Sequence, residues 1–255
     1  MITLTPMTFL IVCAGVFLAG IVDSIGGGGG LISLPAFLIA GIPAHVAIAT
    51  NKMSSTCGTA LATWRFIQHR LVIWKLVLPA VLCAISGSVI GSNLSLLVSE
   101  HVLKITLLFI LPFVAFIVLD RHIFRDYAKE DLQITRKTYL ITMTASFLIG
   151  LYDGFYGPGT GTFLIIAFTV FAHMSITASN AEAKVLNLSS NITSLAVFLL
   201  HGQVILPLGL AAACFNMAGN YIGSGLVMTR GARIVRPIII AVLILLGIRI
   251  LSEGL

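Results

Sequence analysis

The stretch VDSIGGGGGLISLP, residues 22–35, interrupts one of the most hydrophobic parts of the chain. Five consecutive glycines, Gly26 to Gly30, closely follow Asp23. A glycine inside a helix costs about 1 kcal/mol relative to alanine, so the run predicts a break in a helix. Lost backbone hydrogen bonds are hardest to replace in apolar surroundings, so a break at this place needs a reason.

The composition predicts a helical membrane protein. Of the 255 residues, 58% are hydrophobic and 9% are charged, and the mean hydropathy is +1.07. Soluble domains have about 25% charged residues. The apolar runs are too long and too continuous for alternating barrel strands. The net charge of +6 is spread singly over loops and helix ends, which argues against a nucleic-acid partner. The four cysteines lie in apolar stretches, so we expect no disulfide, no metal site and no cofactor.

Ten apolar segments follow one another along the chain. A spanning helix needs about 20 residues, but the two segments that follow glycine motifs have only about 12 or 13 residues. The fold class is therefore all-α, with about eight full transmembrane helices and two short half-helices broken by glycine. The predicted segments cover about 6–23, 30–41, 44–68, 73–97, 101–119, 138–152, 160–172, 176–200, 204–228 and 231–251.

The two halves of the chain resemble each other. The segment GSVIGSNL at 87–94 matches GNYIGSGL at 219–226, and GIVDSIGGGG at 20–29 matches GLYDGFYGPG at 150–159. So many shared glycine and polar positions indicate an internal duplication. We divide the chain into a first transmembrane repeat, a linker and a second transmembrane repeat, which cover 1–119, 120–137 and 138–255.

Basic residues predict the orientation in the membrane. Lys and Arg concentrate around the loop at 68–73, in the linker 120–137 and around the loop at 229–233, and such loops face the cytoplasm. With five segments in each half, the second half enters from the opposite side. The repeats are then inverted, the linker is cytoplasmic, and both termini are external in the inner membrane. Arg249 fits this orientation poorly.

The glycine breaks are the first candidate for a binding site. Inverted repeats with broken helices are typical of secondary transporters. A broken helix presents unpaired N–H groups and the positive end of its dipole, which favours an anion, and glycine allows the ligand to approach the backbone closely. The alternative is that the glycines only form a tight turn or a packing contact. The candidate substrate-binding glycines are Gly27, Gly28, Gly29, Gly157 and Gly159.

Two lysines within apolar segments are the second candidate. Lys52 and Lys184 each lie about 13 Å along a predicted helix, so in an inverted pair they could meet near the membrane midplane. An intramembrane lysine is a functional candidate by default. The alternatives are that both lysines extend to the interface, or that Lys184 pairs with Glu182 or Asp153. Polar residues near the lysines are further candidates for substrate binding: Asn51, Ser55, Asn187 and Asn191.

Two aspartates precede the breaks. Asp23 and Asp153 occupy equivalent positions in the two halves. They are candidates for binding a coupling proton or cation, or for capping the broken backbone.

The combined motifs resemble the TauE/SafE sulfite exporter family, also called the TSUP permeases, and most closely its short bacterial YfcA-like members of the inner membrane. The resemblance rests on the Asp-led glycine break, ATNK at 49–52, YDGFYGP at 152–158 and AKVLNLSSN at 183–191. It implies a secondary transporter of sulfur-containing anions such as sulfite or organosulfonates, often by export. By motif match it points to Asp23, Gly27 to Gly29, Asn51, Lys52, Asp153, Gly157, Pro158, Lys184 and Asn187.

Other functions remain as alternatives. The chain could carry another small organic anion, or act as a passive anion channel. A membrane scaffold would not need two symmetric lysines, and an enzyme is not expected because the sequence has no HExxH or GxSxG motif. The expected partners are a small anionic substrate and the lipid bilayer, with a homodimer left open.

Overall fold

A computed structural model of the chain describes residues 4–99 and 134–253, and these residues form helices and no strand. The prediction of an all-α fold is confirmed for these residues. The predicted segment at 101–119 and most of the linker, 120–133, lie outside the described residues. The described helices are α1 (Pro6–Gly26), α2 (Gly30–Ile39), α3 (Ala44–Gln68), α4 (Trp74–Leu97), α5 (Arg136–Phe155), α6 (Thr160–Val170), α7 (Ile176–Leu200), α8 (Leu206–Arg230) and α9 (Ala232–Glu253).

Length and hydropathy mark several helices as membrane spans. Among the described residues, α1, α4 and α7 are long and apolar enough to cross a membrane. The two helices that follow the glycine motifs, α2 and α6, have 10 and 11 residues and are too short to cross it, as predicted. The full count of eight spans stays a prediction.

The first described helix of each half, α1 and α5, begins in the same way. α1 and α5 each start after a threonine, Thr5 and Thr135, whose side chain accepts a hydrogen bond from the backbone N–H three residues later. Each forms a reciprocal capping box, which satisfies backbone donors at the helix start. Because the cap of α5 lies at Thr135, this helix has 20 residues, where the hydrophobic pattern predicted the shorter segment 138–152.

The end of α1 differs from the prediction. The sequence predicted an end near residue 23, but the helix continues to Gly26. Ser24, Ile25 and Gly26 are buried, and Gly26 packs closely against Ile238 and Ile239 of α9. Burial and packing in the folded chain outweigh the low helix propensity of one glycine, which is only about 1 kcal/mol.

Helices from the two halves pack in matching pairs. α1 runs along α8, and α4 runs along α5, while α3 and α7 contact each other and also pack on α8 and α4. Glycines at the start of the matching motifs make both long contacts close. A Cβ at Gly87 would lie 2.2 Å from the Phe147 carbonyl oxygen, and a Cβ at Gly219 would lie 2.2 Å from that of Phe17. Small residues of this kind let membrane helices approach.

Polar and apolar side chains are distributed as in a membrane protein. Large apolar side chains such as Leu97 and Leu200 lie on the outside, where they are 83% and 86% exposed. Lysine, asparagine and serine side chains of α3 and α7 are buried between the helices; Lys52 and Lys184 are 3% and 0% exposed. Both candidate lysines therefore lie inside the helix bundle.

Candidate functional site

Two breaks in the backbone start the half-helices. After α1, Gly27 adopts a left-handed conformation with φ +77°, and α2 begins at Gly30. After α5, Gly157 and Gly159 have φ +99° and +84°, and α6 begins at Thr160. These backbone angles favour glycine, so the sequence motif and the local geometry agree.

The two breaks pack directly against each other. A Cβ at Gly27 would lie 2.2 Å from the backbone of Gly161, and a Cβ at Gly30 would lie 2.9 Å from Cα of Pro158. The hydroxyl of Thr162 donates a hydrogen bond to the Gly26 carbonyl oxygen at 2.5 Å. Backbone meets backbone here, so the glycines allow close packing as well as left-handed angles.

A small cavity lies beside this contact. It measures about 20 Å³ as space open to the centre of a water molecule, which is room for about one water. The first residues of both half-helices, Gly30 and Thr160, border it. The N–H group of Thr160 donates to the Gly157 carbonyl oxygen at 3.3 Å, so the break itself satisfies this donor in the observed arrangement. The remaining walls of the cavity are formed by Asp23, Gly27, Asn51, Lys52, Ser55, Asp153, Tyr156, Gly157, Asn187 and Asn191.

Each buried lysine pairs with an aspartate from the other half of the chain. Nζ of Lys52 lies 2.8 Å from Oδ2 of Asp153, and Nζ of Lys184 lies 2.7 Å from Oδ2 of Asp23. The alternative that both lysines extend to the interface is wrong, because both are buried. The alternative that Lys184 pairs with Asp153 or Glu182 is wrong as well, because its ammonium group contacts Asp23. We call these two contacts the crossed ion pairs.

The two aspartates have unequal surroundings. Asp153 has three donors within 2.8 Å: Lys52, the hydroxyl of Ser190 and the hydroxyl of Thr160, which also lies 2.7 Å from the Gly157 carbonyl oxygen. Among the described side chains, Asp23 has one donor, Lys184. The side chain of Asp23 is 14% exposed and that of Asp153 is 2% exposed. Asp153 is thus held more firmly.

Neither aspartate caps a half-helix. The structure gives no side-chain cap at the start of α2 or α6. Asp23 lies within the last turn of α1 and Asp153 within the last turn of α5, where both carboxylates face lysines. The observed contacts are ion pairs with the lysines; they do not support the capping role, and the binding of a coupling proton or cation stays a prediction.

Lys52 connects the ion pair to a row of asparagines. Its ammonium group also donates to Oδ1 of Asn191 at 2.9 Å, and Nδ2 of Asn191 donates to Oδ1 of Asn187 at 3.2 Å. An ammonium group has three protons. Asp153 and Asn191 accept two of these protons, and the third is available because Lys52 borders the cavity.

Most of the predicted site residues come together at this cavity, and five do not border it: Gly28, Gly29, Pro158, Gly159 and Lys184. Lys184 lies behind Asp23. A Cβ at Gly28 would lie 2.4 Å from the side chain of Val242 in α9, and a Cβ at Gly29 would meet the Asp23 side chain at 2.6 Å. A Cβ at Gly159 would lie 3.3 Å from the Phe163 ring. Gly28 and Gly29 therefore serve packing in the observed arrangement, and Gly159 provides the left-handed angle before α6.

One residue of the cavity, Tyr156, was missed by the sequence analysis, while Gly30 and Thr160 belong to the two predicted glycine breaks. Gly30, Tyr156 and Thr160 border the cavity. The offset of 130 residues between the glycine motifs relates Gly30 to Thr160, so the internal match contained a signal for this pair.

Among the described residues, no three His, Cys, Asp or Glu side chains gather as a metal site requires.

Comparisons with known proteins agree with this arrangement of helices and polar groups. The family model described as "Sulfite exporter TauE/SafE" matches residues 12–250. A probable membrane transporter protein of Sinorhizobium sp, ORF9, is 38% identical over 97% of this chain and 93% of its own length. The probable membrane transporter protein YfcA of Escherichia coli K12 is 32% identical over 93% of this chain and 87% of its own length. A probable membrane transporter protein of Haemophilus influenzae is 32% identical over 91% of this chain and 89% of its own length.

No solved structure matches the chain. The family model covers nearly the whole chain, and the relatives are named as transporters over nearly their whole length. The chain therefore belongs to the TauE/SafE sulfite exporter family and is a membrane transporter, not an enzyme.

Proposed function

We propose that the chain is a secondary transporter of small sulfur-containing anions, such as sulfite or organosulfonates, and that it exports them across the inner membrane. One observation carries the proposal. The N-termini of both half-helices and the ammonium group of Lys52 border the same buried cavity.

The donors at this cavity suit an oxyanion. Helix N-termini carry the positive end of the helix dipole, which favours an anion. Lys52 adds a full positive charge with a third ammonium proton, and the side-chain amides of Asn51 and Asn187 add neutral donors. A sulfonate or sulfite group has three oxygens that can accept from several directions at once. We therefore favour it over a planar carboxylate, which presents two oxygens.

Transport also requires that the site open. The cavity has room for about one water, so an anion of several heavy atoms fits only after its walls separate. The crossed ion pairs join α1 to α7 and α3 to α5. We infer that these contacts loosen when the site opens toward one side of the membrane, as alternating access requires.

An inverted duplication with eight spans and two half-helices is part of the proposal. The crossed ion pairs and the matching helix contacts, α1 with α8 and α4 with α5, support it. The basic residues of the linker 120–137 support its cytoplasmic location, with both termini external.

A stabilisation screen tests the proposed substrate class. Purified protein is heated with sulfite, thiosulfate, methanesulfonate or acetate, and its Tm is measured. A ligand present at a hundred times its Kd stabilises the folded state by about 2.7 kcal/mol, so we expect a sulfur-containing anion to raise Tm by several degrees. No rise with any anion would contradict the proposal. A rise with acetate alone would favour a carboxylate transporter.

A flux experiment separates a transporter from a passive anion channel. The same site could line a pore, and acetate or sulfite would then pass without a change of state. In proteoliposomes we expect uptake of labelled sulfite to saturate and to be accelerated by unlabelled sulfite on the other side. Flux that stays proportional to concentration, without counter-exchange, would favour the channel.

A further inference from the structure

We propose that each singly charged anion binds together with one proton, and that Asp23 is the residue that takes up this proton. This inference rests on the proposed function and names the ion that is coupled to transport. It follows from the charges around the cavity and from the unequal contacts of the two aspartates.

The charges around the site sum to zero before any anion binds. Among the described residues, two carboxylates border the cavity, Asp23 and Asp153, and two ammonium groups balance them, Lys52 at the cavity and Lys184 behind Asp23. An anion would add an uncompensated negative charge to a buried site, which is strongly unfavourable. A proton on one carboxylate restores neutrality.

The hydrogen bonds indicate which carboxylate accepts the proton. Lys52 and the hydroxyl of Ser190 donate to Asp153, and the single hydroxyl proton of Thr160 is shared between Asp153 and the Gly157 carbonyl oxygen. Hydrogen bonds to a carboxylate favour its ionised form. Asp23 has one donor among the described side chains, Lys184, and its side chain is the more exposed of the two. Protonation therefore disrupts fewer contacts at Asp23 than at Asp153.

The geometry at Asp23 allows the protonated form to contact both neighbours. Oδ2 of Asp23 accepts from Nζ of Lys184 at 2.7 Å. A protonated carboxyl group has one O–H donor and keeps its acceptor capacity. Oδ2 can therefore stay bound to Lys184 while the other oxygen carries the proton and donates it toward an anion in the cavity. The charge of Lys184 then balances the charge of the anion.

Among the described residues, the other carboxylates to consider around Asp23 are Asp153, which borders the same cavity, and Glu182 of α7, which accepts from the backbone N–H of Ile73. α2 and α6 contain no titratable residue. α8 meets α1 through Gly219 and Gly223, and the titratable residue between them, Tyr221, lies against Arg65 of α3. α9 meets the end of α1 through Ile238 and Ile239, two residues beyond Arg236. The charged groups that face Asp23 across the site are Lys184, Lys52 and Asp153.

Calorimetry counts the proton directly. Methanesulfonate and isethionate keep one fixed negative charge in the neutral pH range, so they take up no proton themselves. Their binding heat, measured in buffers with different ionisation heats, gives the protons bound by the protein. We expect about one proton for each anion and an affinity that rises about tenfold for each unit of falling pH. In Asp23→Asn, which mimics the protonated residue, we expect binding without proton uptake and without pH dependence.

Infrared spectroscopy identifies the protonated residue in the unchanged protein. Methanesulfonate should produce a new band from a protonated carboxyl group. Ser190→Ala is the matched control, because it removes a donor from Asp153 and none from Asp23. The band should keep its position in this variant, whereas a shifted band would assign the proton to Asp153 and overturn the assignment to Asp23.

The outcomes for coupling and for substrate class are distinct. Binding of either sulfonate without proton uptake, or only in the presence of Na⁺, refutes proton coupling and leaves the proposed function intact. If neither sulfonate nor any other anion binds, both proposals fail.

Discussion

The crossed ion pair between Lys184 and Asp23 gives a quantitative prediction for stability. Removal of one partner from a buried ion pair costs about 3–5 kcal/mol, because the other charge stays buried without a partner. Lys184 is fully buried, while the side chain of Asp23 is 14% exposed. We therefore expect Asp23→Asn, which isolates the lysine, to lie near the upper end of that range. Lys184→Met, which isolates the aspartate, should lie near the lower end.

A double-mutant cycle measures the interaction itself. In the variant with both substitutions no unpaired charge remains, so its loss of stability should be smaller than the combined losses of the single variants by about 3 kcal/mol. The assay is reversible unfolding in mixed detergent micelles. Lys75→Met is the matched control, since Lys75 is exposed and a surface substitution changes stability by less than about 0.5 kcal/mol. Strictly additive losses would refute the crossed ion pair.

Three further predictions follow from the breaks and the linker. Gly27→Ala should prevent folding or strongly lower Tm, because its Cβ would lie 2.2 Å from the facing backbone. The control Gly41→Ala, at φ +80° in open space, should cost only about 1 kcal/mol of backbone strain. Equal Tm values for the two variants would contradict the close packing of Gly27. Gly157→Ala should fold but weaken sulfite binding, since its Cβ would lie 3.1 Å from Nζ of Lys52. An unchanged calorimetric affinity for sulfite would show that Gly157 does not border the binding site. Cysteines placed in 120–137 should react with a membrane-impermeant label only from the cytoplasmic side, and labelling from outside would reverse the orientation.

Helix positions were predictable where the apolar pattern is bounded by clear stop signals. The bounds of α3 and α7 agree with the predicted segments 44–68 and 176–200. The end of α1 was not predictable, because Gly26 stays helical only through packing against α9, which is distant in sequence. The short length of the two half-helices was visible from the glycine motifs alone.

The site was predictable in its residue types but not in its pairing. Symmetric positions in the two halves pointed to both lysines and both aspartates. The sequence could not show that each lysine faces the aspartate of the other half, since that depends on how α3 and α7 cross α5 and α1. It also could not tell that Gly28 packs on Val242 while Gly27 borders the cavity, because neighbouring positions in a broken helix point in different directions.

The central claim is that Lys52 and the two half-helix N-termini bind an anion, and calorimetric binding of sulfite to two lysine variants tests it most directly. Lys52→Gln removes the positive charge that borders the cavity, and Lys75→Gln removes an exposed positive charge elsewhere. A buried anion without its cationic partner loses about 3 kcal/mol or more, which is about a hundredfold in Kd. We predict that loss for Lys52→Gln in a protein that remains folded, with unchanged affinity for Lys75→Gln. Wild-type affinity in folded Lys52→Gln would contradict the site.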